Sequence, residues 1–414
     1  MIDYESFFSR AAGHMQGSAI RRMGTVLAQS RDIISFAPGY PAPDTFPWSD
    51  FSEIARELLS GRDGSVLQYG PTRGYQPLLE SIAGIMGARG VATTLDNLLI
   101  TTGSQQGLDL VARVLLDPDD VVLVELPTYT GAITAFRNVQ ATMVGVPQED
   151  DGIDLDALDA IHQRLVAAGR RVRVLYLVPN FQNPTGLLIG LEKRQRLLEW
   201  AGRRDVLIVE DDPYRELYFE DSASEADVRP IRADDESGRV VYLSSFSKTL
   251  APGYRVAWID APEPLAAKFE LAKQAEDLCT GALDQRVIYE ATRRGVLDRQ
   301  LPMLRRHYQA KRDVMVAALR KEFSEDEVSW PAPRGGFFLW ATLPAQIDAD
   351  NMIARSVEGG VIYVAGSAFF VNGGGHNVIR LAFSAPPHEK IKEGVARLAA
   401  VVRGELAVTA LASR

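Results

Sequence analysis

Val240-Val241-Tyr242-Leu243-Ser244-Ser245-Phe246-Ser247-Lys248-Thr249-Leu250-Ala251-Pro252-Gly253-Tyr254-Arg255 is an apolar run that stops abruptly in hydroxyls, one lysine and, seven residues later, one arginine. Consecutive apolar, β-rich positions fit a strand buried on both faces, as in a parallel sheet covered by helices. Similar runs occur at residues 98–102, 121–126, 172–178, 206–210 and 256–259, with helical patterns such as 191–203 between them. This alternation predicts an α/β domain around a mostly parallel mixed sheet.

After residue 262 the pattern changes. Residues 263–323 read as one helical stretch, interrupted near Gly295 and at Pro302. A strand pair around 328–343, a short helix, strands at 361–364 and 378–383 and a final helix from Pro387 follow. The expected division is an N-terminal arm (1–45) over the small domain and the site, a large domain (46–295) and a smaller α+β C-terminal domain (296–414). No fixed-period repeat or low-complexity tract is present.

Composition narrows the class. The 414 residues are 46% apolar and 24% charged, with a net charge of −9 and no basic block, which argues against nucleic acid or an anionic membrane as partner. The single cysteine, Cys279, excludes an intrachain disulfide and a cysteine-based zinc cluster, so no metal site is expected. The N-terminus lacks a charged start before an apolar run, and no apolar stretch approaches about 18 residues. The expected location is the cytoplasm.

In an open parallel sheet, ligands bind beyond the carboxyl ends of the strands, and the unusual polar residues cluster there. Gly103-Ser104-Gln105-Gln106-Gly107 follows the 98–102 run and offers a helix N-terminus to an anion; a plain N-cap by Ser104 is the alternative. Asn183-Pro184-Thr185-Gly186 closes the 172–178 run, with Asn183 held extended before proline, as a functional turn or simply a turn. Asp211-Asp212-Pro213-Tyr214 follows 206–210, and two adjacent carboxylates there need a cation, either a protonated ring nitrogen or an arginine. Lys248 among hydroxyls can form an imine, and burial or a nearby cation lowers its pKa toward that task. Arg380, alone in the apolar stretch 378–383, needs an anion: a substrate carboxylate or an internal carboxylate. Each signal alone is weak. All five together suit one phosphorylated cationic ring and a carboxylate substrate.

Ser245-Phe-Ser-Lys248-Thr-Leu-Ala-Pro-Gly-Tyr-Arg255, Asn183-Pro-Thr-Gly186, Asp211-Asp-Pro-Tyr214 and Gly103-Ser-Gln-Gln106 resemble the fold-type I, class I/II aminotransferases that use pyridoxal 5′-phosphate. The nearest branch is that of the 2-aminoadipate and kynurenine aminotransferases, which also resemble the catalytic half of MocR-type regulators. The resemblance runs from Ile34-Ser-Phe-Ala-Pro-Gly-Tyr-Pro41 to Arg380-Leu-Ala-Phe-Ser384. It implies that Lys248 holds the cofactor as a Schiff base and moves a proton, and that Asp211 pairs with the ring nitrogen. Asn183 and Tyr214 would hydrogen-bond the ring oxygen, and Tyr129 would stack on the ring. Ser104, Gln105, Ser245, Ser247 and Arg255 would hold the phosphate, and Arg380 the substrate carboxylate. Gly39 would lie over the substrate. Tyr69 would reach the cofactor of a neighbouring subunit, making a homodimer.

Two departures bear on specificity. Pro38-Gly39-Tyr40-Pro41 stands where the family often has Gly-Gly-Leu-Pro, which adds the aromatic Tyr40 at the substrate mouth. Arg21 matches in position a family segment that reads a distal acidic group, and it equally suits a solvated helix charge. The expected donors are aromatic, kynurenine-like or 2-aminoadipate-like L-amino acids, with 2-oxoglutarate as acceptor. A Ser-x-x-Lys acyl-transfer reading of Ser245–Lys248 lacks the companion Ser-Asp-Asn and Lys-Thr-Gly elements. A cofactor-binding regulator would need a DNA-binding unit ahead of the arm, for which residues 1–20 leave no room. A β-lyase or decarboxylase on the same scaffold stays open, since the motifs do not fix what leaves Cα.

Overall fold

The computed structural model describes residues 2–15, 17, 32–324 and 326–412. Thirteen strands can be followed among them: β1 (Ile34–Ser35), β2 (Leu98–Thr102), β3 (Val121–Leu126), β4 (Thr142–Glu149), β5 (Gly152–Ile153), β6 (Val172–Leu177), β7 (Leu207–Asp211), β8 (Val240–Ser245), β9 (Val256–Asp260), β10 (Phe338–Thr342), β11 (Val361–Ile362), β12 (Val364–Ala365) and β13 (Val378–Ala382). The main sheet has the order β2-β9-β8-β7-β6-β3-β4-β5. Its pairs are parallel except those made by β9 and β5. The chain has the α/β fold of the sequence reading, with a mixed and mostly parallel sheet.

The sheet is buried on both faces because alternate side chains point into different cores. Val122 and Val124 of β3 join Leu108, Val111 and Phe136 of the helices Ser104–Leu115 and Thr130–Asn138. Val121 and Leu123 of the same strand point the other way, onto Leu158, Leu197 and Trp200. Each fully buried aliphatic side chain contributes about 1.5–3 kcal/mol, so a run without polar interruptions is what this position demands. β9 runs against its neighbours, which puts the carboxyl ends of β2, β3, β6, β7 and β8 on one edge.

Several boundaries differ from the sequence reading. β4 was not anticipated because Gly145 and Pro147 interrupt its apolar run. The stretch 263–323 is three helices, Glu263–Glu276, Ala282–Arg293 and Val296–Glu322, with a break at 277–281 where Leu278 has φ 63°. Gly295 ends one helix at φ 67°, as expected, but the last helix continues through Pro302. The missing N–H there frees the carbonyl of Asp298, an exposed residue at which water can serve instead. The strand pair around 328–343 reduces to β10 and a single bridge between Ser329 and Thr342. The 361–364 run splits: β11 pairs in parallel with β1, whereas β12 joins β13 and β10 in a separate antiparallel sheet. Among the described residues, no helix is long and apolar enough to cross a membrane.

Candidate active site

The strand ends converge on one cavity of about 460 Å³. Its walls include Ser104, Gln105, Tyr129, Asn183, Tyr214, Ser245, Ser247, Lys248, Arg255 and Arg380, with Gly39 and Tyr40 at the side of the N-terminal segment. Residues up to 342 positions apart in the chain thus meet because β2, β3, β6, β7 and β8 end on the same edge and Arg380 of β13 reaches it (from Pro38 to Arg380).

Lys248 follows β8 after one turn and donates from Nζ to the Gly39 carbonyl at 3.1 Å. The rings of Tyr214 and Phe337 lie 5.8 and 5.7 Å from the same nitrogen. Burial and the positive charges of Arg380 and Arg255 bring its amine down to about 8, against a smaller opposing pull from Asp211. A lysine so placed is neutral far more often near pH 7 than an exposed one, as a nucleophilic amine requires.

Asp211 ends β7 and is buried. Its Oδ2 accepts a hydrogen bond from the Tyr176 hydroxyl at 2.9 Å, while Oδ1 is buried without a partner. Burial pushes its carboxyl up to about 7, with the Tyr176 bond opposing that rise. The cation needed by the Asp-Asp pair serves Asp212 instead. That carboxylate accepts from Asn180 and from Tyr242 at 2.8 and 2.9 Å, and Arg89 donates to the same Tyr242 hydroxyl at 2.8 Å. No arginine among the described residues forms an ion pair with Asp211 within 4 Å, so the arginine alternative holds for Asp212, through Arg89, and leaves Asp211 without an arginine.

The helix after β2 starts at Ser104, with Gly103 as its cap residue. Ser104 is therefore not the N-cap, and its hydroxyl is buried with no protein partner. Gly103 has φ 82°, and a Cβ there would come within 2.0 Å of Arg255 Nη2. Arg255 itself has φ 55°, a left-handed backbone that is strained for a side chain-bearing residue, and its guanidinium lies beside the helix start. Ser245 donates to the Ser247 hydroxyl at 2.8 Å on the same side. Gly103→Ala is expected to cost about 1–3 kcal/mol through this backbone alone. A melting temperature unchanged from the parent protein would contradict it.

Arg380 donates from Nη1 to the Asn183 side-chain oxygen at 2.7 Å and from Nη2 to the Ala37 carbonyl. Its Nε is buried without a partner, and it has no carboxylate partner among the described residues. The internal salt bridge considered for it is absent there. The guanidinium lies over the Phe338 and Phe369 rings at 4.3 and 5.1 Å, and burial holds it down to about 10. Asn183 also bonds Tyr214, whose phenol burial pushes up. Tyr40 is 64% exposed at the mouth, with its carbonyl held by Ser384 at 2.7 Å. Tyr69 does not line this chain's cavity and is 77% exposed. Arg21 lies outside the described residues.

Sequence reasoning missed Tyr176 and Phe338. A phenol in the middle of a fully buried strand must find an acceptor, and that rule would have marked Tyr176. Nothing local distinguishes Phe338 from an ordinary core residue.

This constellation of strand-end groups has relatives. The family model for aminotransferase class I and II matches residues 31–398. The chain belongs to that family. An aromatic-amino-acid aminotransferase of Thermococcus litoralis is 42% identical over 406 residues, covering 98% of this chain and 96% of that protein. The solved kynurenine aminotransferase of Pyrococcus horikoshii, in complex with PMP, is 40% identical with a TM-score of 0.92, covering 98% of each chain. LysN, the α-aminoadipate aminotransferase of Thermus thermophilus, solved with N-(5′-phosphopyridoxyl)-L-leucine, is 40% identical with a TM-score of 0.89 over 98% of this chain and all of that one.

The protein is an aminotransferase, and its cofactor is pyridoxal 5′-phosphate. The residues of this aminotransferase fit that group. A buried carboxylate oxygen without a donor matches a protonated ring nitrogen, and a buried free hydroxyl at a helix start beside an arginine matches a phosphate.

Proposed function

We propose that this aminotransferase moves the amino group of an aromatic, kynurenine-like or 2-aminoadipate-like L-amino acid to 2-oxoglutarate. What carries the reading is a set of buried polar groups without partners, Ser104 Oγ and Arg380 Nε in the cavity wall and Asp211 Oδ1 at the end of β7, with Lys248 Nζ in the same cavity. Asp211 would hold the ring nitrogen, and Asn183 and Tyr214 the ring oxygen. Tyr129 would cover the ring face, and Ser104, Gln105, Ser245, Ser247 and Arg255 would hold the phosphate. When bound, pyridoxal phosphate supplies a carbonyl that exchanges amines and a ring that draws electron density from the substrate Cα.

Lys248 would hold the cofactor through its carbonyl, and the same Nζ, once free, would take the proton from the substrate Cα and return it on the cofactor side, a task suited to an amine whose pKa burial and Arg380 lower. Arg380 clamps the α-carboxylate with its fork, and the two phenyl rings beside it exclude water and strengthen that contact. Tyr40 and Phe338 offer apolar surface to a side chain, which supports an aromatic donor, as do the names of the relatives. Arg21 would read a distal acid in the 2-aminoadipate case. Tyr69, large and exposed, would enter the partner's site in a cytoplasmic homodimer. The arm 1–45, the large domain 46–295 and the small domain 296–414 would be the units between which substrate is enclosed.

The test is an absorbance titration of the purified protein with a panel of amino acids. A visible cofactor band that a donor converts to the near-ultraviolet amine form, and that 2-oxoglutarate restores, is the expected result. The donors rank by the concentration that half-converts the band. A band that every amino acid perturbs and none converts would assign a lyase or decarboxylase instead.

A further inference from the structure

Asp211 is served unequally on its two oxygens. β6 lies beside β7 in parallel register, with Tyr176 opposite Val209, and this brings the Tyr176 hydroxyl to Oδ2 at 2.9 Å. Tyr176 is fully buried, and its ring meets Phe136 edge-on at 5.8 Å between centroids. The charged and titratable neighbours that act on Asp211 are Asp212, Lys248 and Tyr176. Asp212 has its own partners in Asn180 and Tyr242, and Lys248 donates to Gly39. One phenol is therefore the sole hydrogen-bond donor to Asp211 among the described residues, and it leaves Oδ1 open.

We infer that Tyr176 is a positioning residue for the cofactor: its hydroxyl fixes the Asp211 carboxyl through Oδ2 and leaves Oδ1 for the ring nitrogen. The inference rests on the assignment of Asp211 to that nitrogen. A buried carboxyl without this donor favours its neutral acid, which offers a proton where a protonated ring needs an acceptor. A hydrogen bond to a buried charged group is worth roughly a tenfold to hundredfold change in an equilibrium constant.

The experiment compares the affinity of the apoprotein for pyridoxal phosphate and for its 1-deaza analogue, which carries C–H in place of the ring nitrogen. Binding is read by equilibrium dialysis, so no turnover is needed. The parent protein is expected to prefer the natural cofactor, and Asp211→Asn to erase that preference. Tyr176→Phe is expected to reduce it by about tenfold or more. Phenylalanine has the same ring and keeps the Phe136 contact, so the variant is expected to fold. Tyr242→Phe, which strips the equivalent phenol from Asp212, serves as the comparison: it loses stability and keeps the preference. A full preference in Tyr176→Phe would overturn the inference and leave Asp211 in its role. A parent protein with no preference, or a preference surviving in Asp211→Asn, would remove the Asp211 assignment and the inference with it.

Discussion

Lys248→Ala is expected to lower transamination by more than about 10⁴-fold for every donor while the purified variant still takes up pyridoxal phosphate. Two losses combine. On the proposed assignment the variant loses both the amine that would capture the cofactor carbonyl and the group that would move the Cα proton, a role worth about 10²–10⁴ by itself. The remaining hold would come from other residues of the cavity wall, proposed to be Ser104, Ser245, Ser247 and Arg255 for the phosphate and Asn183 and Tyr214 for the ring oxygen. The variant therefore binds the cofactor reversibly, with the absorption of a free aldehyde. Rates are measured with the best donor from the titration, at saturating cofactor. Turnover within a few-fold of the parent protein would mean that the chemistry runs through another residue.

Arg380→Ala is expected to raise KM for the amino donor by about 100-fold, with a smaller change in kcat. Removing one side of a buried fork–carboxylate pair costs about 2–5 kcal/mol, and much of that is the substrate charge left without a partner in an apolar place. That place is well defined here, since the guanidinium sits against Phe338 and Phe369 and is itself fully buried. Arg380→Lys is expected to recover only part of the effect, because an ammonium supplies the charge without the planar pair of donors. The removed side chain also bonds Asn183 and Ala37, so the variant melts earlier than the parent protein. Steady-state kinetics over the whole donor panel separates the two effects: KM unchanged for every donor would leave Arg380 a structural role only.

Much of the fold could be read in the sequence, and the limits have physical causes. β3, β6, β7 and β8 are buried on both sides, so their apolar runs are continuous and their ends abrupt; the polar residues at those ends stand out for the same reason. β4 lies further from the centre and carries Gly145 and Pro147, which blurs the run. The short strands β11 and β12 could not be told apart, because what separates them is their pairing, one with β1 and one with β13. At the site, charged and turn-forming residues announced themselves by chemistry that has no place in a core. Tyr176 did not, since an aromatic in a strand is an ordinary choice until its hydroxyl's partner is known. The partner of the Asp-Asp pair was likewise a matter of tertiary contact: Arg89 is more than 120 positions from Asp212, and no spacing rule connects them.

The segment joining β1 to the first long helix holds the cavity from one side with its main chain. The Ala37 carbonyl takes Arg380, the Gly39 carbonyl takes Lys248 and the Tyr40 carbonyl takes Ser384, across separations of 343, 209 and 344 residues. A ribosome makes that segment well before its partners: Lys248 follows 209 residues after Gly39, and Arg380 and Ser384 follow 343 and 344 residues after theirs. The last of these contacts cannot form until residue 384 has emerged. Contacts of such span also set folding on the slow side, since the closure of the whole loop precedes any stabilisation from it. Cofactor uptake by nascent chains of increasing length is therefore expected to reach its full strength only once residue 384 has emerged.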